Sequence, residues 1–306
     1  MSRVMIVQQP PVYLNRDATL ERVCASIAAA AADGAELVMF PEAYVAGYPT
    51  WIWRLRPGGD MGLSGELHAG LLRSALDVAG GDLEPVYEAA RAHGVVVGLG
   101  FHERDGEYAR STLFNAYAII GPDGGLLNHY RKMVPTNPER MVWGRGDASG
   151  LRVVDTPVGR VGALICWGNF MPLSRYALYS QGIEIYLAPT WDSGDGWVGS
   201  MQHIAREGRC WVLSGATALR AGDLPADLPG RDTLFPDPEE WINPGDALIV
   251  APGGKIVAGP QRRDKAPLQG EVDAADVAVA RRSLDVAGHY SRPDIFELRV
   301  DRKSVV

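Results

Sequence analysis

The sequence has little cysteine: three residues in 306, at Cys24, Cys166 and Cys210. They are far apart, odd in number and never spaced C-x-x-C, which argues against a disulfide framework or a zinc site. The histidines do not supply a metal site either. There is no H-E-x-x-H, and His93, His102, His129, His203 and His289 are scattered, as surface or hydrogen-bonded structural residues would be. An excess of positive charge is also missing. The formal net charge is −7, with no basic face for nucleic acid as an obligate partner. No apolar run approaches the roughly 20 residues that cross a bilayer, so no membrane partner is expected. The opening Met-Ser-Arg-Val-Met-Ile-Val enters a strand pattern and lacks a signal peptide's layout, so a cytoplasmic protein is expected.

Several catalytic signatures are absent as well. No Gly-x-x-x-x-Gly-Lys occurs, which removes a P-loop, and no Gly-x-Ser-x-Gly, which removes the usual serine elbow. Gly98-Leu99-Gly100 starts like a dinucleotide fingerprint, but lacks the third glycine and a following helix.

What is present is an alternation of apolar runs and helix-like segments. Val4 to Gln8, Glu36 to Phe40, Val95 to Phe101, Thr112 to Ile120, Val161 to Ile165, Ile183 to Ala188 and Cys210 to Ser214 read as strands. Ala18 to Ala32, with Asp17 as N-cap, Leu83 to Ala92, Leu173 to Gln181, Val198 to Gly208 and Asp273 to Arg282 read as helices. Pro252-Gly253-Gly254 between two short apolar runs signals a hairpin. The pattern predicts an α/β protein with a sizeable sheet covered on its outer face by helices. Trp51 to Gly70 and Arg220 to Asn243 break the rhythm and read as long irregular segments, of the kind that serve function or an interface.

Three strand ends carry chemistry. Val38-Met39-Phe40-Pro41-Glu42 puts a carboxylate at the carboxyl end of a buried strand, where ligands bind in open α/β sheets. Cys166 holds the same kind of position after Val161 to Ile165, and Lys132 lies in the basic cluster Asn128 to Met133. A thiolate is a nucleophile, a carboxylate takes its proton and activates water, and a fixed ammonium stabilises developing negative charge. Backbone N–H groups just after the cysteine would assist. Singly, each residue also has a bland role: solvated acid, surface cation, core filler.

At these residues the sequence resembles the nitrilase superfamily of carbon–nitrogen hydrolases, and its nitrilase branch most closely. The resemblance is carried by Phe40-Pro41-Glu42-Ala43, Gly47-Tyr48-Pro49, Tyr130-Arg131-Lys132, Pro135-Thr136 and Glu139-Arg140-Met141-Val142-Trp143-Gly144. It continues through Leu164-Ile165-Cys166-Trp167, Asn169, Met171-Pro172-Leu173, Ala188-Pro189-Thr190-Trp191-Asp192 and the ending Gly288 to Asp294. It runs in order along nearly the whole chain, so one carbon–nitrogen hydrolase domain over 1–306 is expected.

The resemblance implies a four-layer α-β-β-α sandwich and a Glu-Lys-Cys triad that falls on Glu42, Lys132 and Cys166. A second glutamate, orienting the lysine, falls on Glu139. The implied reaction takes a small nitrile to its acid and ammonia through a thioimidate and a thioester, with partial amide release, and needs no metal or organic cofactor. An amidase or carbamoyl hydrolase with the same triad, or a non-catalytic binding relative, are the alternatives. Tyr48, Thr136, Trp167 and Trp191 flank the triad motifs as expected pocket walls, and Trp51 and Trp53 are placed at the entrance or an interface. A homodimer or larger homo-oligomer is implied too. One departure stands out: nitrilases usually carry an acid after Cys-Trp, where this chain has Gly168. Glycine would free the backbone at the turn presenting Cys166. Retained chemistry, altered specificity or product ratio, and impairment compete as its consequence. With the triad intact, retained chemistry is favoured.

Overall fold

The computed structural model describes residues 1–106 and 110–302. Two sheets form its centre. In the first, β1 (Ser2–Ile6), β2 (Leu37–Met39), β3 (Val96–Arg104), β4 (Leu113–Ile120) and β5 (Leu126–Arg131) lie side by side in chain order. β1, β2 and β3 pair parallel, and β3 to β5 antiparallel. The second contains β6 (Val153–Thr156), β7 (Gly159–Ala163), β8 (Ile185–Pro189), β9 (Trp211–Gly215), β10 (Ala218–Arg220), β11 (Trp241–Val250) and β12 (Ile256–Arg262). Its order is β10-β11-β9-β8-β7-β6, with β12 also paired to β11. The last strand, β13 (Leu268–Val272), returns antiparallel beside β1.

Side-chain alternation sorts the layers, since successive strand residues face opposite sides of a sheet. Val4, Ile6, Leu37 and Met39 face the second sheet and pack with Val161, Ile185, Leu187 and Leu213. Their neighbours Met5, Val7, Val38 and Phe40 face outward, against Val23 and Ile27 of α1 (Arg16–Ala32) and Val86 and Ala90 of the helix Glu84–His93. On the far side, the helices Pro172–Tyr179 and Asp195–Gly208 cover the second sheet through Leu178, Trp197 and Met201. The fold is therefore the four-layer α-β-β-α sandwich.

Several local expectations need correction. Asn15, not Asp17, caps α1: its side chain accepts from the Ala18 N–H at 3.1 Å. The stretch from Trp51 to Gly70 is not irregular throughout. It opens with a 3-10 turn, Thr50–Trp53, and then enters a helix, Met61–Arg73. Gly62, Gly65 and Gly70 lower helix propensity there, while Leu67 and Leu71 bury its inner face. Arg220 to Asn243 is largely loop, with two short helical turns, Ala221–Asp223 and Arg231–Leu234, and the start of β11. Trp51 is buried at 1% exposure, edge-on to Tyr13, and so is a core residue and not an entrance.

Two glycines of β3 set the distance between layers. A Cβ on Gly98 would meet Leu187 of the opposing sheet at 3.0 Å, and one on Gly100 would lie 2.1 Å from the Pro41 carbonyl and 3.0 Å from the Glu42 Cα. The glycine pair that resembled a nucleotide fingerprint thus admits the chain segment carrying Glu42. Gly100→Ala is predicted to cost about 3 kcal/mol, since backbone stands in the way. Thermal unfolding should show a melting temperature lower by about 6 °C or more.

Candidate active site

Three strand ends and one 3-10 turn deliver the polar centre. Glu42 follows β2, and Ala43 behind it takes φ +49°, turning the chain sharply. Lys132 follows β5 and is tied by its N–H to the Asn115 carbonyl of β4 at 2.8 Å. Glu139 sits in a 3-10 turn, Asn137–Met141, that Thr136 opens. Cys166 begins another, Cys166–Phe170, just past β7, and itself adopts φ +49°. A left-handed backbone at a non-glycine residue costs about 1–3 kcal/mol and is kept where its surroundings impose it. Asn169 imposes it here. Its buried amide donates to the Cys166 carbonyl at 2.7 Å and the Leu164 carbonyl at 2.9 Å. The Asn169 carbonyl in turn accepts from Arg175 at 2.9 Å, and Arg175 pairs with Glu207 at 3.0 Å.

The Lys132 ammonium lies between two carboxylates, 2.8 Å from Glu42 Oε1 and 2.7 Å from Glu139 Oε2, with all three side chains sealed from solvent. The carboxylates differ in what else they bind. Glu139 Oε1 accepts from the Tyr48 hydroxyl at 2.7 Å, and Oε2 also accepts from the Thr136 N–H at 2.7 Å. Both its oxygens are committed. Glu42 Oε1 accepts a second bond from Asn115 Nδ2 at 2.7 Å, whereas Oε2 is buried with no protein partner. Carboxylate oxygens of Glu42 and Glu139 and the Cys166 sulfur all lie within 4.8 Å of one another. That spacing would also suit a metal ion, but the Lys132 ammonium already supplies the positive charge at this point and bonds both acids.

Burial governs the proton affinities. It pushes the Cys166 thiol up to about 12, with Glu42 adding to the rise and Lys132 opposing it. Burial likewise raises the Glu42 carboxyl against the pull of Lys132. For Lys132 burial acts downward, but Glu42, Cys166 and Glu139 outweigh it and strengthen the hold on its proton. The resting centre is a neutral thiol beside an ammonium bracketed by carboxylates.

A cavity of about 210 Å³ reaches Cys166 and Glu139 from the surface, and the expected wall residues Tyr48, Thr136, Trp167 and Trp191 all line it. Tyr48 and Trp191 stack at 4.4 Å, nearly parallel at 2°. Trp53 lines the same cavity and donates to the Tyr48 hydroxyl at 3.2 Å. A roomier cleft of about 420 Å³, between Asp77, Glu103 and Arg131, has no cysteine, serine or lysine among its described lining residues. Volume alone therefore does not locate the chemistry.

A family model for carbon–nitrogen hydrolases matches residues 3–282. The chain belongs to the carbon–nitrogen hydrolase family. Among its relatives, an aliphatic nitrilase of Sinorhizobium fredii is 40% identical over 302 residues, 98% of this chain and 96% of that protein. Nitrilase 2 of Arabidopsis thaliana is 41% identical over 309 residues, covering 98% of this chain and 88% of the relative. A carbon–nitrogen hydrolase from Helicobacter pylori shares the fold at a TM-score of 0.72 and 18% identity, with 96% of each chain covered.

Within this carbon–nitrogen hydrolase, several neighbours of the centre escaped sequence reasoning. Asn115 lies mid-strand in β4 and gave no signal. Asn169 stood in a motif but had no assigned task. Gly168 turns out not to be needed for its conformational freedom. It lies inside the 3-10 turn outside the left-handed region, which Cys166 adopts instead, and a Cβ there would meet only the Tyr130 hydroxyl at 3.8 Å. Its N–H donates to the Ile165 carbonyl at 2.9 Å and is not free for a substrate. Buried His102 bridges two walls. Trp143 Nε1 can only donate, so His102 Nδ1 accepts at 3.0 Å, and Nε2 carries the proton it gives to the Gly47 carbonyl at 2.8 Å.

Two predictions follow from these contacts. Gly168→Ala should fold normally and gain about 0.4–1 kcal/mol through reduced unfolded-state freedom, read by thermal denaturation. For His102, burial first and His68 second lower the pKa to about 4, against the Gly47 bond. The unfolded chain therefore binds a proton near pH 6.5 that the folded chain refuses until about pH 4. The His102 contribution is complete above the unfolded value and declines by about 3 kcal/mol as pH falls through that window. Chemical denaturation of wild type and His102→Gln at stepped pH should show the variant losing less stability between the two values.

Proposed function

We infer that the protein is a nitrilase that hydrolyses an organic nitrile to its carboxylic acid and ammonia. The relatives named nitrilases at about 40% identity over nearly the full chain support the activity. One geometric observation carries the assignment of roles: Glu42 keeps one buried oxygen without a protein partner, in a group where carboxylate oxygens of Glu42 and Glu139 and the Cys166 sulfur lie within 4.8 Å of one another, while both oxygens of Glu139 are engaged. Glu42 is the base, and Glu139 fixes Lys132.

In the proposed cycle the Cys166 proton passes to Glu42 as sulfur bonds to the nitrile carbon. The nitrile nitrogen takes that proton, and a thioimidate results. Glu42 then draws a proton from water, whose oxygen adds to the same carbon. The third N–H of Lys132, not used by either carboxylate, stabilises the negative charge of the tetrahedral species. Protonated nitrogen leaves as ammonia and a thioester remains. A second water, activated by Glu42, breaks the carbon–sulfur bond, releases the acid and returns the thiol. If the carbon–sulfur bond of the tetrahedral species breaks first, the product is the amide. No step calls for a metal or an organic cofactor.

The proposal includes a single functional domain and a homodimer or larger homo-oligomer. Leu173, Tyr290, Ile295 and Phe296, exposed apolar side chains around one groove, support self-association. A cytoplasmic setting is part of it as well, consistent with three unpaired cysteines. The described residues contain no helix long and apolar enough to cross a membrane.

Cys166→Ala should abolish ammonia release from a nitrile panel, and Glu42→Gln should lower kcat about a thousandfold. Intact-mass spectrometry of quenched wild type should show an acyl adduct that Cys166→Ala lacks. A wild-type rate in Cys166→Ala would end the scheme. Faster ammonia release from matched amides than from nitriles would instead identify an amidase.

A further inference from the structure

Which nitriles enter is written in the charge of the cavity wall. Two carboxylates line it, Glu139 and Asp192, and among its described lining residues none is lysine or arginine. Glu139 shares the Lys132 ammonium with Glu42. Asp192 has no ion-pair partner among the described residues. Its Oδ2 accepts from Trp167 Nε1 at 2.7 Å and its Oδ1 from the Ser193 N–H at 2.8 Å. These bonds fix the carboxylate on the wall, and Trp167, its donor, is the residue next to Cys166. The remaining wall is aromatic, through Tyr48, Trp53, Trp167 and Trp191. An apolar cavity of about 150 Å³ accommodates benzene, so about 210 Å³ suits one ring or a short alkyl tail with its nitrile.

We propose that Asp192 makes this cavity a charge filter, so that the substrate is a nitrile with an uncharged, one-ring-sized or smaller tail, and nitriles bearing a carboxylate are rejected. The proposal rests on the nitrilase assignment and narrows it. A carboxylate tail would lose hydration against the aromatic walls and face Asp192 with no cation to offset either loss. An uncharged tail meets neither penalty. The Asp192 carboxylate and the Trp167 ring that holds it are partly exposed, and even at the higher effective dielectric of such a site one fixed like charge about 4 Å away changes binding by about tenfold or more.

The test uses matched pairs on the full-length protein: phenylacetonitrile against 4-(cyanomethyl)benzoate, and butyronitrile against 3-cyanopropanoate. The expected result is a kcat/KM at least about tenfold higher for each neutral member, with the ratio shrinking severalfold in Asp192→Asn. That variant keeps an oxygen to accept from Trp167. A second readout does not depend on nitrile turnover. Iodoacetamide and iodoacetate each alkylate the Cys166 sulfur, with iodide leaving and the thiol proton lost to solvent, and one is neutral while the other is anionic. The native protein should favour iodoacetamide at Cys166 about tenfold more than the guanidinium-unfolded chain does. Added salt and Asp192→Asn should both weaken that preference.

Equal kcat/KM within the pairs overturns the filter, as does an alkylation preference that Asp192→Asn leaves intact. Alkylation bias relieved by Asp192→Asn in a protein that hydrolyses no nitrile would retain the filter and remove the nitrilase assignment. A sulfur that takes neither reagent, in a protein that hydrolyses neither nitrile, overturns both, because the cavity then admits nothing to Cys166.

Discussion

The Lys132 ammonium, held between Glu42 and Glu139 with all three side chains out of water, is the constraint on which the centre depends. Burying such a cluster is costly in itself, because each ion leaves its hydration behind. The arrangement persists because every charge finds short, directed partners: two carboxylates for the ammonium, Asn115 for one acid, and Tyr48 and the Thr136 N–H for the other. Removing the ammonium would leave two buried like charges within 4.8 Å of one another. The cluster also explains why the surrounding structure is rigid at this point. Tyr48 is braced by Trp53, Trp143 and Trp191, so Glu139 cannot swing away without unpacking an aromatic wall.

The fold's contribution is to bring together residues that are 34 to 124 positions apart in sequence. Glu42 and Lys132 leave the ends of two strands of one sheet, and Cys166 leaves the end of a strand in the other. Packing the sheets face to face through Val4, Ile6, Leu187 and Leu213 sets the separation between them. Gly100 then admits the Pro41–Glu42 backbone close against β3. On the cysteine side, the Glu207–Arg175–Asn169 chain of contacts holds the left-handed turn from behind. Helices of the outer layer thus act on the sulfur through two intermediaries.

What the sequence disclosed, and what it did not, follows the range of the forces. The short β-rich run from Val4 to Gln8 and the apolar run before Pro41 are local, and runs of this kind located the strands and the strand-end residues Glu42 and Cys166. The basic cluster Asn128 to Met133 pointed to Lys132, and the resemblance to a known family gave it its role and supplied Glu139, which no local pattern distinguishes from a surface charge. Asn15 caps the first helix in place of the expected Asp17, because both residue types suit the role and only the backbone geometry chooses. The helix over Met61–Arg73 was obscured by three glycines, since its stability comes from burying Leu67 and Leu71 and not from propensity. Asn115 and His102 were invisible because their importance lies in partners 73 and 41 residues distant. Gly168 misled in the opposite direction: a glycine beside the nucleophile invited a conformational explanation, while the strained dihedral belongs to Cys166.

Burial that drives the thiol pKa up to about 12 would silence a solitary cysteine, since the thiolate is the reactive form. The position of Glu42 changes that outcome. Moving the proton from sulfur to the neighbouring carboxylate neither creates nor removes net charge in the cavity; it exchanges one buried anion for another at nearly the same place. The desolvation that opposes a thiolate equally opposes the Glu42 carboxylate, whose proton affinity is raised by the same burial. The two penalties therefore largely cancel in the exchange, and Lys132 remains within reach to attract whichever group holds the charge. A dry site that keeps its sulfur protonated at rest, and so protected from oxidation, is in this way compatible with one that releases a nucleophile when an electrophilic carbon arrives.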